Sequence, residues 1–149
     1  MSYHDKDKPL VMVTGATGFV GNALVDFLST KGITTRRCVR NIAANPVVYE
    51  SVFENGDINE FTDWSEALSD VDVVVHTAAR VHVMDERSSD PITEFRRVNV
   101  SATVNLARQA VEAGVSRFIY LSSVKVNGES SSLGVPLKAS DSTMPVGPY

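Results

Sequence analysis

The stretch of sequence that decides the fold is PLVMVTGATGFVG, residues 9–21. Residues 9–14 form an almost uninterrupted apolar run, which is typical of a strand buried on both faces of a parallel sheet. Residues 19–31 carry apolar side chains at helical spacing, and Gly32 follows where a left-handed residue would end a helix. The stretch therefore predicts a strand, a tight turn and a helix.

The glycines of the predicted turn have the spacing G-x-x-G-x-x-G. Gly15 permits a sharp turn, Gly18 lets the backbone approach a pyrophosphate, and Gly21 lets the helix pack closely on the sheet. Many turns carry glycines, but a buried strand before them and a helix after them are the context that a dinucleotide site requires, because the first helical N–H groups then face the anion. The candidate cofactor-binding residues here are Gly15, Thr17, Gly18, Phe19, Val20 and Gly21.

The alternation of short apolar strands and helical segments continues along the chain. Further strands are predicted at residues 34–39, 47–53, 71–76 and 117–122, and helices at 64–68 and 91–113. Asp90 is the predicted N-cap of the long helix, and Gly114 lies just past its end. Residues 127–149 are rich in Gly, Ser and Pro and have no sustained period. We expect one α/β domain over residues 1–149, a Rossmann-type doubly wound parallel sheet that stops after its fifth strand.

The charge and cysteine content exclude several classes of partner. The 149 residues include 14 Lys and Arg against 18 Asp and Glu, a net charge of −4. Nucleic acids and membrane surfaces attract basic proteins, so neither partner is expected. Cys38 is the single cysteine, and no Cys/His group has metal-ligand spacing, which predicts no metal site. Residues 1–8 lack the apolar core of a signal peptide, and no run approaches the roughly 18 apolar residues of a spanning helix, so we expect a soluble cytoplasmic protein.

The residues after the second predicted strand bear on the choice of cofactor. About 20 residues beyond the glycines, NAD-selective sites place an acid on the ribose hydroxyls. Residues 36–41 are RRCVRN and contain no acid. Arg40 lies just past the strand end, where its guanidinium could meet a 2′-phosphate, whereas Arg36 and Arg37 could equally be a solvated strand edge. The sequence predicts NADP or NAD as cofactor, with NADP favoured.

Two other strand ends carry candidate contacts to the cofactor. Asp57 could accept a hydrogen bond from an adenine amino group and Ile58 could cover the ring, although an ordinary Gly-Asp turn is the alternative. After the fourth strand, small side chains would let a dinucleotide lie close to the backbone, which makes Thr77, Ala78 and Ala79 candidates. His76, which precedes them, is expected to be a hydrogen-bonded structural residue or a minor contact.

Several motifs together resemble the extended short-chain dehydrogenase/reductase family, in its nucleotide-sugar epimerase/dehydratase branch that includes UDP-glucose 4-epimerase. They are TGATGFVG at 14–21, GDI at 56–58, H-x-A-A at 76–79, R-V-N-V-x-x-T around Asn99, RFIYLSS at 117–123, and the final Pro-Tyr. The resemblance covers essentially the whole chain. It implies an NAD(P)-dependent epimerase or 4-keto-sugar reductase that transfers hydride at a sugar carbon, with a UDP-sugar as substrate and a homodimer as the full-length form.

The resemblance also implies roles for individual residues. Ser123 matches the catalytic Ser/Thr at the end of the fifth strand, and Tyr149 matches the tyrosine of the Y-x-x-x-K motif. A tyrosine of this kind removes or returns the proton of the sugar hydroxyl, and the serine holds the reacting oxygen against it. Ser122 is taken as a further cofactor-binding residue.

Departures from the family pattern narrow the expected activity. Val124 and Lys125 stand where dehydratases of this branch carry an Asp-Glu pair, so dehydration is disfavoured. The chain ends at Tyr149, before the lysine of its motif, so we expect a cofactor-binding fragment with little or no turnover. Two alternatives stay open: a non-catalytic NADP(H)-binding regulator, for which Ser123 and Tyr149 would have no use, and a steroid- or flavonoid-type extended reductase.

Overall fold

The computed structural model describes residues 8–43, 51–81, 90–147 and 149, and it contains a five-stranded sheet. The strands are β1 (Val11–Thr14), β2 (Thr35–Val39), β3 (Val52–Glu54), β4 (Val73–His76) and β5 (Arg117–Tyr120). Their spatial order is β3-β2-β1-β4-β5, and every neighbouring pair is parallel. The predicted parallel α/β sheet is confirmed. The strand order reverses between β1 and β4, which is the place where open sheets of this kind bind ligands.

Helices cover both faces of the sheet. Helix α1 (Phe19–Thr30) follows the glycine turn, and a long helical stretch consists of α2 (Pro91–Arg96), a π-helical segment (Arg97–Ser101) and α3 (Ala102–Glu112). Asp90 is the predicted N-cap, and its carboxylate accepts a hydrogen bond of 3.2 Å from the N–H of Thr93. The π-helical segment was not predicted, because the apolar spacing of the sequence does not distinguish one wider turn from its neighbours.

The alternating side chains of β1 fill two hydrophobic cores. Val13 packs with Val25 of α1 on one face, whereas Met12 packs with Trp64 and with Leu106 of α3 on the other. All four residues of β1 are buried, as the apolar run predicts. The strand carrying the glycine turn is therefore held from both sides, which fixes the position of the turn.

The predicted helix at residues 64–68 is wrong. The segment forms a single turn, in which the N–H of Leu68 donates to the carbonyl of Trp64 at 2.8 Å, and Asp70 then adopts a positive φ of 59°. A guanidinium nitrogen of Arg36 donates to the carbonyls of Ala67 and Ser69 at 2.8 and 2.6 Å. These carbonyls are satisfied by a side chain from β2, so a continued helix is not needed to pair them.

Two smaller differences concern the strands. The third strand was predicted at 47–53, and the part at 47–50 lies outside the described residues, whereas β3 covers Val52–Glu54. The first and fourth strands begin two residues later than predicted, and the fifth ends two residues earlier. Backbone pairing in the sheet covers less of the chain than the apolar runs do.

Candidate functional site

A crevice of about 810 Å³ lies at the carboxyl ends of the strands around the reversal of strand order. Residues at or just after the carboxyl ends of β1, β2, β3 and β4 line it, together with two residues of the π-helical segment. The lining residues are Gly15, Thr17, Gly18, Cys38, Val39, Arg40, Asn41, Asn55, Gly56, Asp57, Ile58, Thr77, Ala78, Ala79, Arg80, Val81, Arg97 and Val98. The crevice thus brings together most of the residues that the sequence suggested as cofactor contacts.

The glycine turn packs tightly against the segment that follows β4. Gly15 has a φ of +64°, and a Cβ there would come within 2.8 Å of the backbone nitrogen of Ala78. A Cβ on Gly21 would meet the carbonyl oxygen of Gly15 and would come within 2.9 Å of Oγ1 of Thr77. Only glycine fits at these two positions, because the turn, the helix and the end of β4 meet there.

The segment after β4 is also bound to β1 by hydrogen bonds. The Thr77 hydroxyl donates to the carbonyl of Thr14 at 2.7 Å, and the N–H of Ala78 donates to Oγ1 of Thr14 at 3.3 Å. These bonds cross the reversal of strand order and join the two walls of the crevice. The floor of the site is consequently fixed by the protein before any ligand binds.

His76 lies beneath this floor and is almost completely buried, with 1% of its surface exposed. Its Nδ1 is 2.6 Å from Oγ1 of Thr14, and its Nε2 is 3.0 Å from Oγ1 of Thr103. Because the Thr103 hydroxyl donates to the carbonyl of Asn99 at 3.0 Å, it accepts from His76, which places the ring proton on Nε2. Burial lowers the pKa of His76 to about 4, so the ring is neutral and serves a structural role, in agreement with the sequence interpretation.

Arg40 and Asp57, expected as separate contacts, are joined in the structure. Nε of Arg40 lies 3.0 Å from Oδ1 of Asp57, with 82% and 75% of the two side chains exposed. Arg36 binds the turn at 67–69, and Arg37 is buried with its guanidinium 3.7 Å from Asp26. Of these three arginines, Arg40 alone is among the described residues that line the crevice.

Asn99 holds the far wall of the crevice. Its side-chain oxygen accepts from the N–H of Arg80 at 2.7 Å, and its side-chain nitrogen donates to the carbonyl of Arg80 at 2.9 Å. The Arg80 guanidinium lies over the ring of Phe95, 5.4 Å from its centroid. The sequence indicated Asn99 only as part of a motif. It did not predict that Arg80, Arg97 and Val98 line the crevice, because their positions depend on how the π-helical segment packs.

The remaining predicted residues lie elsewhere. Phe19 and Val20 belong to the first turn of α1, where their side chains are 95% and 47% exposed, and the described lining of the crevice includes neither them nor Gly21. Ser122, Ser123 and Tyr149 are likewise absent from that described lining.

The two catalytic candidates have different surroundings. Oγ of Ser123 accepts from the N–H of Lys125 at 3.3 Å and caps a 3₁₀ turn at Val124–Val126, whereas Tyr149 is 40% exposed. The hydroxyl of Ser123 is thus oriented by the backbone that follows it.

Metal and thiol chemistry find no support in the described part of the chain. Within residues 8–43, 51–81, 90–147 and 149, no three His, Cys, Asp or Glu side chains cluster as a metal site would require. Cys38 is buried, and desolvation raises the pKa of its thiol to about 12, so the thiolate that would react is not formed near neutral pH.

Across residues 8–43, 51–81, 90–147 and 149, no helix has the length and apolar character needed to span a membrane.

The reversed strand order, the glycine turn and the crevice beside it define a Rossmann-type dinucleotide-binding domain. The model of the NAD dependent epimerase/dehydratase family matches residues 11–149, and the chain belongs to that family.

Individual relatives agree with this assignment. The chain is 45% identical to a UDP-glucose 4-epimerase of Vibrio cholerae over 141 residues, which cover 93% of this chain and 42% of that protein. It is 35% identical to a 3-beta-hydroxysteroid dehydrogenase of Mycolicibacterium neoaurum over 120 residues, 78% of this chain and 32% of that protein. Among solved structures, MoeE5 in complex with UDP-glucuronic acid and NAD has a TM-score of 0.74 and 31% identity, covering 93% of this chain and 44% of that one. The chain thus spans less than half the length of each of these relatives.

Proposed function

We propose that the chain forms the cofactor-binding part of an NAD(P)-dependent nucleotide-sugar epimerase or 4-keto-sugar reductase. The observation that carries the proposal is the crevice at the strand reversal, which gathers the glycine turn, Arg40, the Asp57–Ile58 pair and the segment Thr77–Ala79. Similarity to a UDP-glucose 4-epimerase and to a UDP-sugar complex supports a UDP-sugar as substrate.

The residues at the glycine turn fit the pyrophosphate of a dinucleotide. Gly18 is the N-cap of α1 and, among the described side chains, none caps this helix end, which leaves its first N–H groups for an anion. Gly15 and Gly18 line the crevice beside them without a Cβ. Phe19, Val20 and Gly21 would then contribute backbone N–H groups rather than side chains, which accords with the exposed side chain of Phe19.

The adenosine half of the cofactor would lie toward the ends of β2 and β3. Arg40, Asp57 and Ile58 line that part of the crevice, and Arg40 would pair with a 2′-phosphate. The absence of an acid from residues 36–41 supports the same preference. We therefore propose NADP over NAD, although NAD is the cofactor in the MoeE5 complex.

Ser122, Ser123 and Tyr149 would act at the other end of the cofactor. When bound, the nicotinamide accepts or returns a hydride at a sugar carbon. Ser123 accepts a backbone hydrogen bond, so its own proton is available for the reacting oxygen. Tyr149 would take the proton of the sugar hydroxyl in oxidation and return it in reduction. Val124 and Lys125 offer no carboxylate pair for dehydration.

The proposal extends to the state of the protein. We propose that the full-length form is a cytoplasmic homodimer, and that these 149 residues alone bind cofactor with little or no turnover. A steroid-type dehydrogenase is the second candidate, on the strength of 35% identity to such an enzyme, and the 45% identity to the epimerase favours the sugar substrate.

Fluorescence titration of the 149-residue chain with NADPH and NADH tests the cofactor site. NADPH should bind more tightly, and Arg40→Ala should reduce the difference. Arg108→Ala is the matched control, because Arg108 lies on α3, pairs with Glu112 at 3.1 Å and is not among the described residues that line the crevice. Equal affinities for the two cofactors would contradict the NADP preference, and failure to bind either would contradict the cofactor site. Turnover of a UDP-sugar by this chain would contradict its proposed inactivity.

A further inference from the structure

The Arg40–Asp57 ion pair stands at the adenosine end of the crevice, between the carboxyl ends of β2 and β3. Its two side chains line the same cavity, and the Nε to Oδ1 distance is 3.0 Å. Both side chains are largely exposed, at 82% and 75%. An exposed pair of this kind is weak, so a bound anion can replace the carboxylate at small cost.

The pair places opposite charges at the point where a 2′-phosphate would bind. A phosphate monoester carries a charge of about −1.5 to −2 at pH 7 and would take the Arg40 guanidinium as its partner. The Asp57 carboxylate already holds that guanidinium, and it would remain beside the phosphate as a like charge after displacement. A ribose with a free 2′-hydroxyl causes no such conflict, because Arg40 then keeps its partner.

We propose that Asp57 is a specificity-determining residue whose carboxylate competes with the 2′-phosphate of the cofactor for Arg40. Arg40 alone would favour the phosphorylated cofactor more than the chain does, and Asp57 reduces that preference without abolishing it. The inference rests on the proposed function, because it requires an adenine dinucleotide in this crevice.

Two further cations line the crevice, Arg80 and Arg97. The Arg80 guanidinium lies over the ring of Phe95. The Arg97 guanidinium lies 2.9 Å from Glu94, and its pKa is raised chiefly by the hydrogen bond with Glu94 and to a smaller extent by the charges of Glu60 and Asp57. Glu54 ends β3, and its Oε2 accepts a hydrogen bond of 3.0 Å from the N–H of Ile42. Asp57 is therefore the carboxylate that directly faces Arg40 in the described part of the crevice.

The experiment compares 2′,5′-ADP with 5′-AMP, which differ only in the 2′-phosphate and need no contact at the nicotinamide end. Affinities of both are measured by calorimetry for the unaltered chain and for Asp57→Asn. Asparagine keeps an oxygen that can accept from the adenine amino group, and any common adenine contact cancels in the ratio of the two affinities. We expect Asp57→Asn to raise the preference for 2′,5′-ADP by about two- to fivefold, the range that exposed ion pairs support.

Two controls separate local competition from net charge. Glu112→Gln removes one negative charge on α3, outside the described crevice lining, and should leave the ratio unchanged. Arg40→Gln should reduce the effect of Asp57→Asn, because the competition requires the guanidinium. Raising the ionic strength from about 0.1 M to about 1 M should shrink the effect, since the Debye length falls from about 10 Å to about 3 Å.

The outcomes distinguish this inference from the proposed function. Binding of both nucleotides with the same ratio in Asp57→Asn as in the unaltered chain would overturn the inference alone, and so would an equal change in Glu112→Gln. Failure of the unaltered chain to bind either nucleotide or either cofactor would overturn the proposed function, and the inference with it.

Discussion

The Thr14 hydroxyl donates a hydrogen bond of 2.6 Å to Nδ1 of the buried His76 ring, so a neutral imidazole joins the carboxyl ends of β1 and β4. The other ring nitrogen, 3.0 Å from Oγ1 of Thr103, extends the connection to α3. Three elements thus meet at this ring: β1, which precedes the glycine turn, β4, which precedes the Thr77–Ala79 segment, and α3. One buried side chain therefore connects the elements that form the floor of the crevice.

We predict that acid destabilises the chain through His76. Desolvation lowers its pKa from 6.5 to about 4, so the unfolded chain binds a proton that the folded chain rejects between these values. The stability that the neutral His76 ring contributes to the fold is therefore complete above pH 6.5, declines as the pH falls, and is lost by about pH 4. The free energy of unfolding should change by about 3 kcal/mol over this range. Urea denaturation between pH 4 and 7 measures it.

His76→Asn serves as the reference for that measurement. Asparagine keeps an acceptor near Nδ1 but does not titrate, so the free energy of unfolding of this variant should depend less on pH in the same window. The comparison also subtracts the titration of the other two of the three histidines. Identical pH dependence in the two proteins would show that His76 is not the group responsible.

A second prediction concerns the close packing at Gly21. In Gly21→Ala the added Cβ would meet the carbonyl oxygen of Gly15, which is backbone and cannot rotate away. We expect a loss of about 2–4 kcal/mol in the free energy of unfolding, together with loss of NADPH binding. Gly147→Ala is the control, because a Cβ there would lie 4.0 Å from the backbone nitrogen of Tyr149. Equal stability of the two variants, measured by urea denaturation, would contradict the role of Gly21.

A third prediction concerns the pair of hydrogen bonds between Asn99 and the backbone of Arg80. Asn99→Ala removes both, at 2.7 and 2.9 Å, and leaves a part-buried N–H and carbonyl without these partners. The free energy of unfolding should fall by about 1–3 kcal/mol, and NADPH affinity should fall with it, because Arg80 lines the crevice. Val100→Ala, on the neighbouring residue with a 54% exposed side chain, should change neither quantity. Retention of both stability and affinity in Asn99→Ala would oppose this role.

The features that the sequence predicted well are those set by neighbours along the chain. The apolar run before Thr14, the glycine turn and the cap at Asp90 are local patterns, and the structure has a buried strand, a positive φ at Gly15 and a carboxylate that accepts from Thr93. The rule that the carboxyl ends of parallel strands meet at one edge of the sheet then predicted that residues such as Gly15, Asp57 and Thr77 lie together, and all three line the crevice.

The features that were missed depend on distant residues. The Arg40–Asp57 pair joins the ends of two strands, and the π-helical segment brings Arg97 to the crevice through helix packing. The failed helix at 64–68 has the same cause, because its carbonyls are satisfied by Arg36, about thirty residues earlier in the chain. No local propensity encodes which carbonyl a long side chain from another element will reach.

The two arginines Arg36 and Arg40 should give opposite results when each is replaced by alanine. One nitrogen of Arg36 donates to the carbonyls of Ala67 and Ser69 at 2.8 and 2.6 Å, so Arg36→Ala should lower the free energy of unfolding by about 1–3 kcal/mol. Its ratio of NADPH to NADH affinity should stay unchanged, because Arg36 is absent from the described lining of the crevice. Arg40 is 82% exposed in a weak pair, so Arg40→Ala should alter the affinity ratio and leave stability within about 0.5 kcal/mol. Urea denaturation and fluorescence titration of both variants measure the two quantities, and a change of cofactor preference in Arg36→Ala would show that Arg36 also acts on the cofactor site.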